Sequence, residues 1–392
     1  MITVALAGKP NAGKSTFFSA ATAAEVDVGN YPFTTIDPNR GVSAVRTTCP
    51  CVDRKDRCDS SDCSDGVRFV PVELVDVAGL VPGAHEGRGL GNQFLDALTD
   101  ADVIISVIDV SGGTNEEGEP VDIGTADPIE EMSFIEAEMD EWLTGIVQTN
   151  WETVMRRSRS PDFDLEEALL DIVTGVGATP ADLTTVLRNR EYPDAPGAWS
   201  DEDKATLAVD IRRRTKPMVT AANKADIAPD ELLDAVLDSD RRVIPCTAEG
   251  ERALRRGTET GSIAYRSGDG EFEITNELTA SQREGLEQIR TVMDRFGGTG
   301  VQAALNAAVY DQLEQITVYP VENETHWTDG TGTMLPDAVL LPEGATPPML
   351  AESIHSDIAD GYMHAVDART SRRIGEGHEL SEGDVIKIVS SA

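Results

Sequence analysis

Five short apolar runs punctuate an otherwise polar chain: residues 2–7, 69–75, 103–109, 217–221 and 243–246. Each lies between Gly-rich or acidic segments, and short apolar runs of this length suit buried strands of a sheet. Helical spacing appears between them, at residues 15–24 and 90–98. That alternation predicts an α/β fold with a doubly wound, mostly parallel sheet and helices on both faces.

Residues 126–215 follow another pattern. Asp127 suits an N-cap and Pro128 the first helical position, after which Ile135, Met139, Trp142, Leu143, Ile146 and Val147 fall on one stripe. Leu165, Leu169, Ile172 and Val173 form a second stripe, and Ser200 with Asp203 resembles a capping box for a third helix ending near Arg214. The expectation is an α-helical insertion whose stripes pack helix on helix. Beyond Cys246 come a polar, Gly-rich stretch at 257–270, an amphipathic run at 281–296, and short strand-like pieces from Val318 onward.

Composition changes the picture in two ways. Asp and Glu number 70 against 33 Lys and Arg, a formal net charge of −37, and only seven of the basic residues are lysines. So even an imbalance reads as a solvating surface of the kind found in proteins adapted to concentrated salt. At molar salt the Debye length is about 3 Å, so the charge does not exclude an RNA partner. No apolar stretch approaches the ~20 residues that span a bilayer. The first expected strand begins at once, without a leader-like segment. A soluble, cytoplasmic protein with no membrane partner is expected. Five cysteines, four of them within 49–63, do not suit a secreted disulfide framework.

The chemistry starts at Gly8-Lys9-Pro10-Asn11-Ala12-Gly13-Lys14-Ser15-Thr16, directly after the first run. Gly8 and Gly13 permit turns that aim consecutive N–H groups, including those from Asn11 through Thr16, at a polyphosphate, and the helix that follows adds its positive end. Lys14 reaches the β- and γ-phosphates and Ser15 can bind Mg²⁺. Asp76-Val77-Ala78-Gly79 closes the second run. There Asp76 would hold Mg²⁺ through water and the Gly79 N–H would sense the γ-phosphate.

Asn223-Lys224-Ala225-Asp226 closes the fourth run. Asp226 can accept from guanine N1 and N2, Lys224 can cover the base plane, and Asn223 can brace the phosphate loop. Adenine would leave Asp226 unpaired, at about 1 to 3 kcal/mol or more. Thr247-Ala248-Glu249 follows the fifth run, with the Ala248 N–H suited to guanine O6. Between the phosphate loop and Asp76, Asn30-Tyr31-Pro32-Phe33-Thr34-Thr35-Ile36 offers Thr35, or alternatively Thr34, as a hydroxyl ligand of Mg²⁺. Phe33 and Ile36 read as packing residues.

Together these residues resemble the Obg family of GTPases, specifically its YchF-type branch. The resemblance is most specific at residues 8–41 and 73–95, where Gly79-Leu80-Val81-Pro82-Gly83-Ala84-His85 and Gly87-Arg88-Gly89-Leu90-Gly91-Asn92 belong to it. It extends to the helical insertion, coiled-coil-like in the family. It also reaches the tail, where Asp337, Asp357, residues 365–373 and Gly383-Asp384-Val385-Ile386-Lys387 look like a TGS domain, a β-grasp module. What it implies is a P-loop GTPase in four segments: 1–125 and 216–316 form the nucleotide-binding part, 126–215 the helical insertion and 317–392 the TGS domain. Slow, Mg²⁺-dependent GTP hydrolysis is implied, with a ribosome or RNA gripped by the helical and TGS parts. An ATPase of the same fold, or a nucleotide-gated binding module with little turnover, are the alternatives.

Four details refine the resemblance. Many YchF-type proteins have lost the Asn-Lys-x-Asp pattern and prefer ATP, whereas this chain keeps Asn223, Lys224 and Asp226, which favours GTP. Leu80 stands where Ras-like enzymes carry a water-orienting Gln, so backbone groups after Asp76, with Thr35 and Mg²⁺, are expected to position the water. Asn11 is a candidate K⁺ ligand; His85 reads as a solvent-facing loop residue, and Arg88 as either a charge clamp or a surface ion pair. Finally, Cys49, Cys51, Cys58 and Cys63 lie in an acidic insertion nearly free of apolar residues. They suit either tetrahedral Zn²⁺ or reduced surface thiols.

Overall fold

The computed structural model describes residues 1–22, 40–55, 58, 60–77, 79 and 98–391. Its strands are β1 (Thr3–Ala7), β2 (Arg40–Thr48), β3 (Cys63–Ser64), β4 (Val67–Asp76), β5 (Val103–Asp109), β6 (Met218–Asn223), β7 (Val243–Pro245), β8 (Ile263–Ala264), β9 (Glu273–Ile274), β10 (Gln315–Pro320), β11 (Val339–Pro342), β12 (Tyr362–Asp367), β13 (Arg372–Ile374) and β14 (Val385–Ser390). All five apolar runs are strands. The chain divides into two compact units, residues 3–20 with 74–304 and residues 1–2 with 21–73 and 305–392. This division does not follow the segments expected from sequence, because 21–73 groups with the tail.

In the first unit the carboxyl end of β4 is followed across the sheet by β1, β5, β6 and β7. β1, β5, β6 and β7 run parallel. All seven residues of β5 are buried, as its central place requires. Parallel strands align their carboxyl ends, so Asp76, the residues after Ala7, Asp109, Asn223 and the residues after Pro245 share one edge, and Asp109 pairs in register with Asn223. Ligands of open α/β sheets bind at that edge.

The insertion holds four helices, Pro128–Arg157, Leu165–Val173, Pro180–Asn189 and Asp201–Thr215. Asp127 caps the first by accepting from the Ile129 N–H, and the Ser200–Asp203 capping box is present. Pro180–Asn189 was not foreseen, although Thr179, Pro180 and Asp182 form a capping box of the same kind. Nor is the packing all helix on helix. Ile135 and Met139, in the first half of the long helix, pack on Ala5, Ala7, Val75 and Ile104 of the sheet. Only beyond Leu143 does the stripe join the helical core with Leu169, Leu183, Leu207 and Ile211. Buried Arg212 ties the two ends of the insertion by donating to Asp140 Oδ1 and Oδ2 at 2.7 and 3.1 Å. Helices Asp230–Leu237, Ala248–Glu259 and Ala280–Phe296 complete the unit. The second of them takes up the start of the polar 257–270 stretch.

The other unit carries a five-stranded sheet in the order β11-β10-β14-β12-β13. β10 and β14 are parallel and the remaining pairs antiparallel, with helix Pro347–Ile354 between β11 and β12, which is the expected β-grasp arrangement. Alternation along the strands gives this sheet two apolar faces. Val318 and Ile386 face a core with Leu341 and Leu350, while Tyr319 and Val385 face one with Cys49, Cys51 and Trp327. β2 pairs with β4, and β3 is joined to β4 by Asp65-Gly66, both at positive φ (49° and 82°), a two-residue turn matched to strand twist. β2 was not predicted: Arg40, Ser43, Arg46, Thr47 and Thr48 interrupt its apolar pattern, and only its centre is buried.

Candidate functional site

The loop between β1 and helix Lys14–Thr22 is shaped by two glycines. A Cβ on Gly8 (φ +155°) would lie 2.3 Å from the Val107 carbonyl oxygen, and one on Gly13 (φ +100°) 2.2 Å from Asn223 Nδ2. Asn11 takes a left-handed conformation (φ 61°) that Asn tolerates better than most side chains, and its Nδ2 donates to Gly118 O at 2.9 Å. The side-chain carbonyl Oδ1 of Asn11 is thus a separate acceptor. Ala12 and Lys14 are buried, and Lys14 Nζ donates to Lys9 O within the loop at 2.9 Å. Burial holds the Lys14 ammonium below the usual lysine range, against the attraction of Asp76 and Glu131. An incoming polyphosphate would give this desolvated cation the anion it lacks.

A cation position adjoins it. Ser15 Oγ donates to Asp76 Oδ2 at 2.8 Å, while the buried Asp76 Oδ1 has no hydrogen-bond partner. A hydroxyl beside a carboxylate with one unsatisfied buried oxygen is the donor chemistry a hard cation such as Mg²⁺ takes, directly or through water. Thr16 follows in the helix, half-buried. Gly79 passes close over the loop, where a Cβ would meet Pro10 at 2.9 Å. Thr35 with its alternative Thr34, Phe33, Ile36, Leu80, His85 and Arg88 lie outside the described residues.

On the other side Asn223 joins two loops. Its buried amide donates from Nδ2 to Ala12 O and accepts at Oδ1 from the Ala248 N–H, both at 3.0 Å. The Ala248 N–H, which the sequence reading assigned to guanine O6, donates to Asn223 in this structure. Thr247 Oγ1 caps the following helix by accepting from the Gly250 N–H. Asp226 is exposed, and with Thr247 it lines a cleft of about 430 Å³.

Lys224 brings in residues that the motifs did not reveal. Its Nζ lies 2.7 Å from Asp109 Oδ2, which also accepts from Thr114 Oγ1, while Asp109 Oδ1 accepts from the Ser111 N–H and hydroxyl. Burial alone would raise the Asp109 carboxyl, but Lys224, Ser111 and Thr114 outweigh it and hold the group below the usual carboxylate range. The Asp109 N–H donates to Glu131 Oε1, and Glu131 Oε2 pairs with Lys9 Nζ at 2.8 Å, both side chains being about 5% exposed. Burial pushes the Glu131 carboxyl up against the pull of Lys9. One chain of contacts thus runs from the phosphate loop at Lys9 through Glu131 and Asp109 to Lys224. The available signal was an Asp closing a fully buried, mostly apolar strand.

The four clustered cysteines belong to the other unit. Their sulfurs all lie within 4.8 Å of one another, and Cys49 and Cys51 are fully buried. Cys49 and Cys51 are therefore not surface thiols, while Cys58 and Cys63 are half-buried.

Comparison with known proteins agrees with this layout. Family models match residues 3–142 as a 50S ribosome-binding GTPase, 221–323 as the G4 motif-containing domain of an Obg-like GTPase of the YGR210-like type, and 331–390 as a TGS domain. The chain is 41% identical to an uncharacterized GTP-binding protein of Methanocaldococcus jannaschii, with 100% of each chain covered. Over 168 residues it is 35% identical to the ribosome-binding ATPase YchF of Mycoplasma pneumoniae, covering 43% of this chain and 44% of that one. The crystal structure of a GTP binding protein from Pyrococcus horikoshii is 35% identical and superposes with a TM-score of 0.78, covering 99% of this chain and 100% of that one.

Proposed function

The chain belongs to the Obg-like, YchF-type family of GTP-binding proteins, and on that premise we propose that it is a slow, GTP-selective hydrolase acting as a ribosome-associated switch. The observation that carries this reading is the Asn223 amide, which ties the phosphate loop at Ala12 to the base side at Ala248 and sets Asp226 at the edge of a cleft. A carboxylate there accepts from the N1 and N2 hydrogens that guanine has and adenine lacks. The engaged Ala248 N–H narrows the argument, since it makes Asp226 the principal source of base selectivity.

In the bound state Lys14 exchanges its contact with Lys9 O for the β- and γ-phosphates, and the loop N–H groups from Asn11 to Thr16 surround them. Ser15, Thr35 and, through water, Asp76 would hold Mg²⁺, which when bound neutralises charge on the phosphates. The Gly79 N–H would mark the γ-phosphate, and with Leu80 unable to hydrogen-bond, backbone groups of the loop after Asp76 orient the attacking water. Asn11 Oδ1 is the atom suited to a K⁺ beside the phosphates. A net charge of −37 supports a salt-rich cytoplasm that would supply that ion. The name of the Mycoplasma pneumoniae relative and the matching ribosome-binding model support a ribosomal partner, reached through the TGS and helical parts.

The ATPase reading is favoured by that same relative's name. Competition of GTP and ATP for one site, in K⁺ and in Na⁺ at matched ionic strength, separates the two. GTP is expected to bind at least about tenfold more tightly, since a bound adenine would cover the Asp226 carboxylate without offering it a donor, and Asp226→Asn is expected to erase the difference. Equal affinity for ATP in the wild type sinks GTP selectivity, and equal turnover in Na⁺ sinks the role of K⁺. Phosphate release that persists in Lys14→Ala would refute the assigned site.

A further inference from the structure

The sulfurs of Cys49 and Cys58 are 3.7 Å apart and those of Cys51 and Cys63 3.8 Å. Four thiolates at about 2.3 Å from a tetrahedral Zn²⁺ stand about 3.8 Å from one another, so the two pairs already have the edge length of such a site. The remaining separations stay within 4.8 Å, so a small contraction would bring the four sulfurs to that tetrahedron.

The surrounding backbone fixes these positions, and Cys49 and Cys51 are also buried against Tyr319, Val321, Trp327 and Val385. Cys49 follows β2 and its N–H donates to Gly66 O at 2.8 Å; Cys51 sits in the tight turn Pro50–Asp53, and Cys63 opens β3. Cys58 comes from the acidic stretch between them. In residues 52–62 the one apolar side chain apart from cysteine is Val52, which is 41% exposed. Cys49 and Cys51, with Cys58 and Cys63 packed beside them, nevertheless lie on the face of the β-grasp sheet that presents Tyr319, Val321 and Val385.

A second observation concerns charge. Arg68, the cross-strand partner of Cys63, is 1% exposed and, among the described residues, pairs with no carboxylate. Its guanidinium donates to Ser60 Oγ and Leu335 O and lies over the Tyr319 ring, with Nε left unpartnered. A buried guanidinium requires a nearby anion. Four thiolates around one Zn²⁺ carry a net charge of −2 and supply it, whereas four neutral thiols or two disulfides supply none.

We propose that Cys49, Cys51, Cys58 and Cys63 bind one structural Zn²⁺, and that this tetrathiolate site fastens the acidic segment onto the second face of the β-grasp sheet. No open ligand position is left, so the ion is structural rather than catalytic. The guanidiniums of Arg54 and Arg369, 4.7 and 5.4 Å from the Trp327 ring, flank the same joint, which makes Trp327 a local reporter.

The test is metal analysis of the full-length reduced protein, prepared without added metal. One equivalent of zinc is expected, together with four thiols that resist reagent until the metal is removed. Cys58→Ser and Cys63→Ser should each cut zinc to near none and shift Trp327 emission, while Cys246→Ser, a buried cysteine outside the cluster, should keep the full equivalent. Nucleotide binding should survive in Cys58→Ser and Cys63→Ser. Should the serine variants fail to fold, replacement of zinc by Co²⁺ in the wild type must give the visible absorption of a tetrahedral cobalt tetrathiolate. Absence of metal from native reduced protein, iron in place of zinc, or two disulfides in place of four thiols would each overturn the proposal, and none of them bears on whether GTP binds.

Discussion

Replacing Asn223 by Ala removes a donor and an acceptor from a position that is 3% exposed. The Ala12 carbonyl and the Ala248 N–H each lose a partner at 3.0 Å. A buried polar group left unsatisfied costs about 1 to 3 kcal/mol, so the two together destabilise the unit by at least about 2 kcal/mol. For a unit of this size that lowers the melting temperature by about 4 °C or more. If bound nucleotide restores the two loops, the same 2 kcal/mol is taken from binding and weakens Kd about thirtyfold. Asn223→Asp sharpens the argument. It keeps the acceptor for Ala248 but sets a carboxylate oxygen against the Ala12 carbonyl, so at neutral pH it should be no better than Asn223→Ala. At acid pH the protonated carboxyl can donate to Ala12, and part of the affinity should return. Titration with a fluorescent GTP analogue, alongside thermal melts, reads both effects. Wild-type affinity and melting temperature in either variant would show that the bridge does not organise the site.

Two further perturbations follow from the same geometry. Gly13→Ala places a methyl group 2.2 Å from Asn223 Nδ2 at a backbone φ of +100°, so the brace must break or the loop must shift; nucleotide binding should be lost while circular dichroism stays native. Retained binding would refute the constraint. Glu131→Gln leaves Lys9 buried without its counter-ion, which should destabilise by about 3 to 5 kcal/mol in urea unfolding, whereas replacing both residues by Met and Leu should recover most of the loss. A double variant no better than the worse single variant would contradict that pairing.

Much of the sheet was legible because β1, β4, β5, β6 and β7 are coded by short, mostly apolar runs, and burial on both faces needs no knowledge of what lies next to them. The phosphate loop and Asn223 were legible for a related reason, since backbone conformation and base chemistry restrict those positions to few residue types. β2 was not legible, because its central residues are buried by partners remote in sequence and its own pattern mixes Arg, Ser and Thr with apolar residues. The Lys9, Glu131 and Asp109 contacts were hidden by the same cause. A lysine, a glutamate and an aspartate each look like solvated residues until the fold buries them together, and only the position of Asp109 at the end of a mostly apolar strand hinted otherwise.

The cysteine segment shows how far such reasoning extends. Counted as polar, residues 49–63 read as a solvent-exposed insertion; counted with cysteine as a buried residue type, the same stretch has four anchoring positions. The structure takes the second course, setting Cys49 and Cys51 against Tyr319 and Trp327, residues more than 250 positions away in sequence. Alternation in β10 already shows two apolar faces, with Val318 on one and Tyr319 on the other. Helix Pro347–Ile354 covers only the first. A small β-grasp sheet therefore needs a second cover, and an acidic segment can serve as one only if something other than apolar area holds it in place. Four converging sulfurs and a buried arginine with no carboxylate partner among the described residues supply that requirement together, which is why metal content, rather than mutation of any single apolar residue, is the decisive measurement for this half of the molecule.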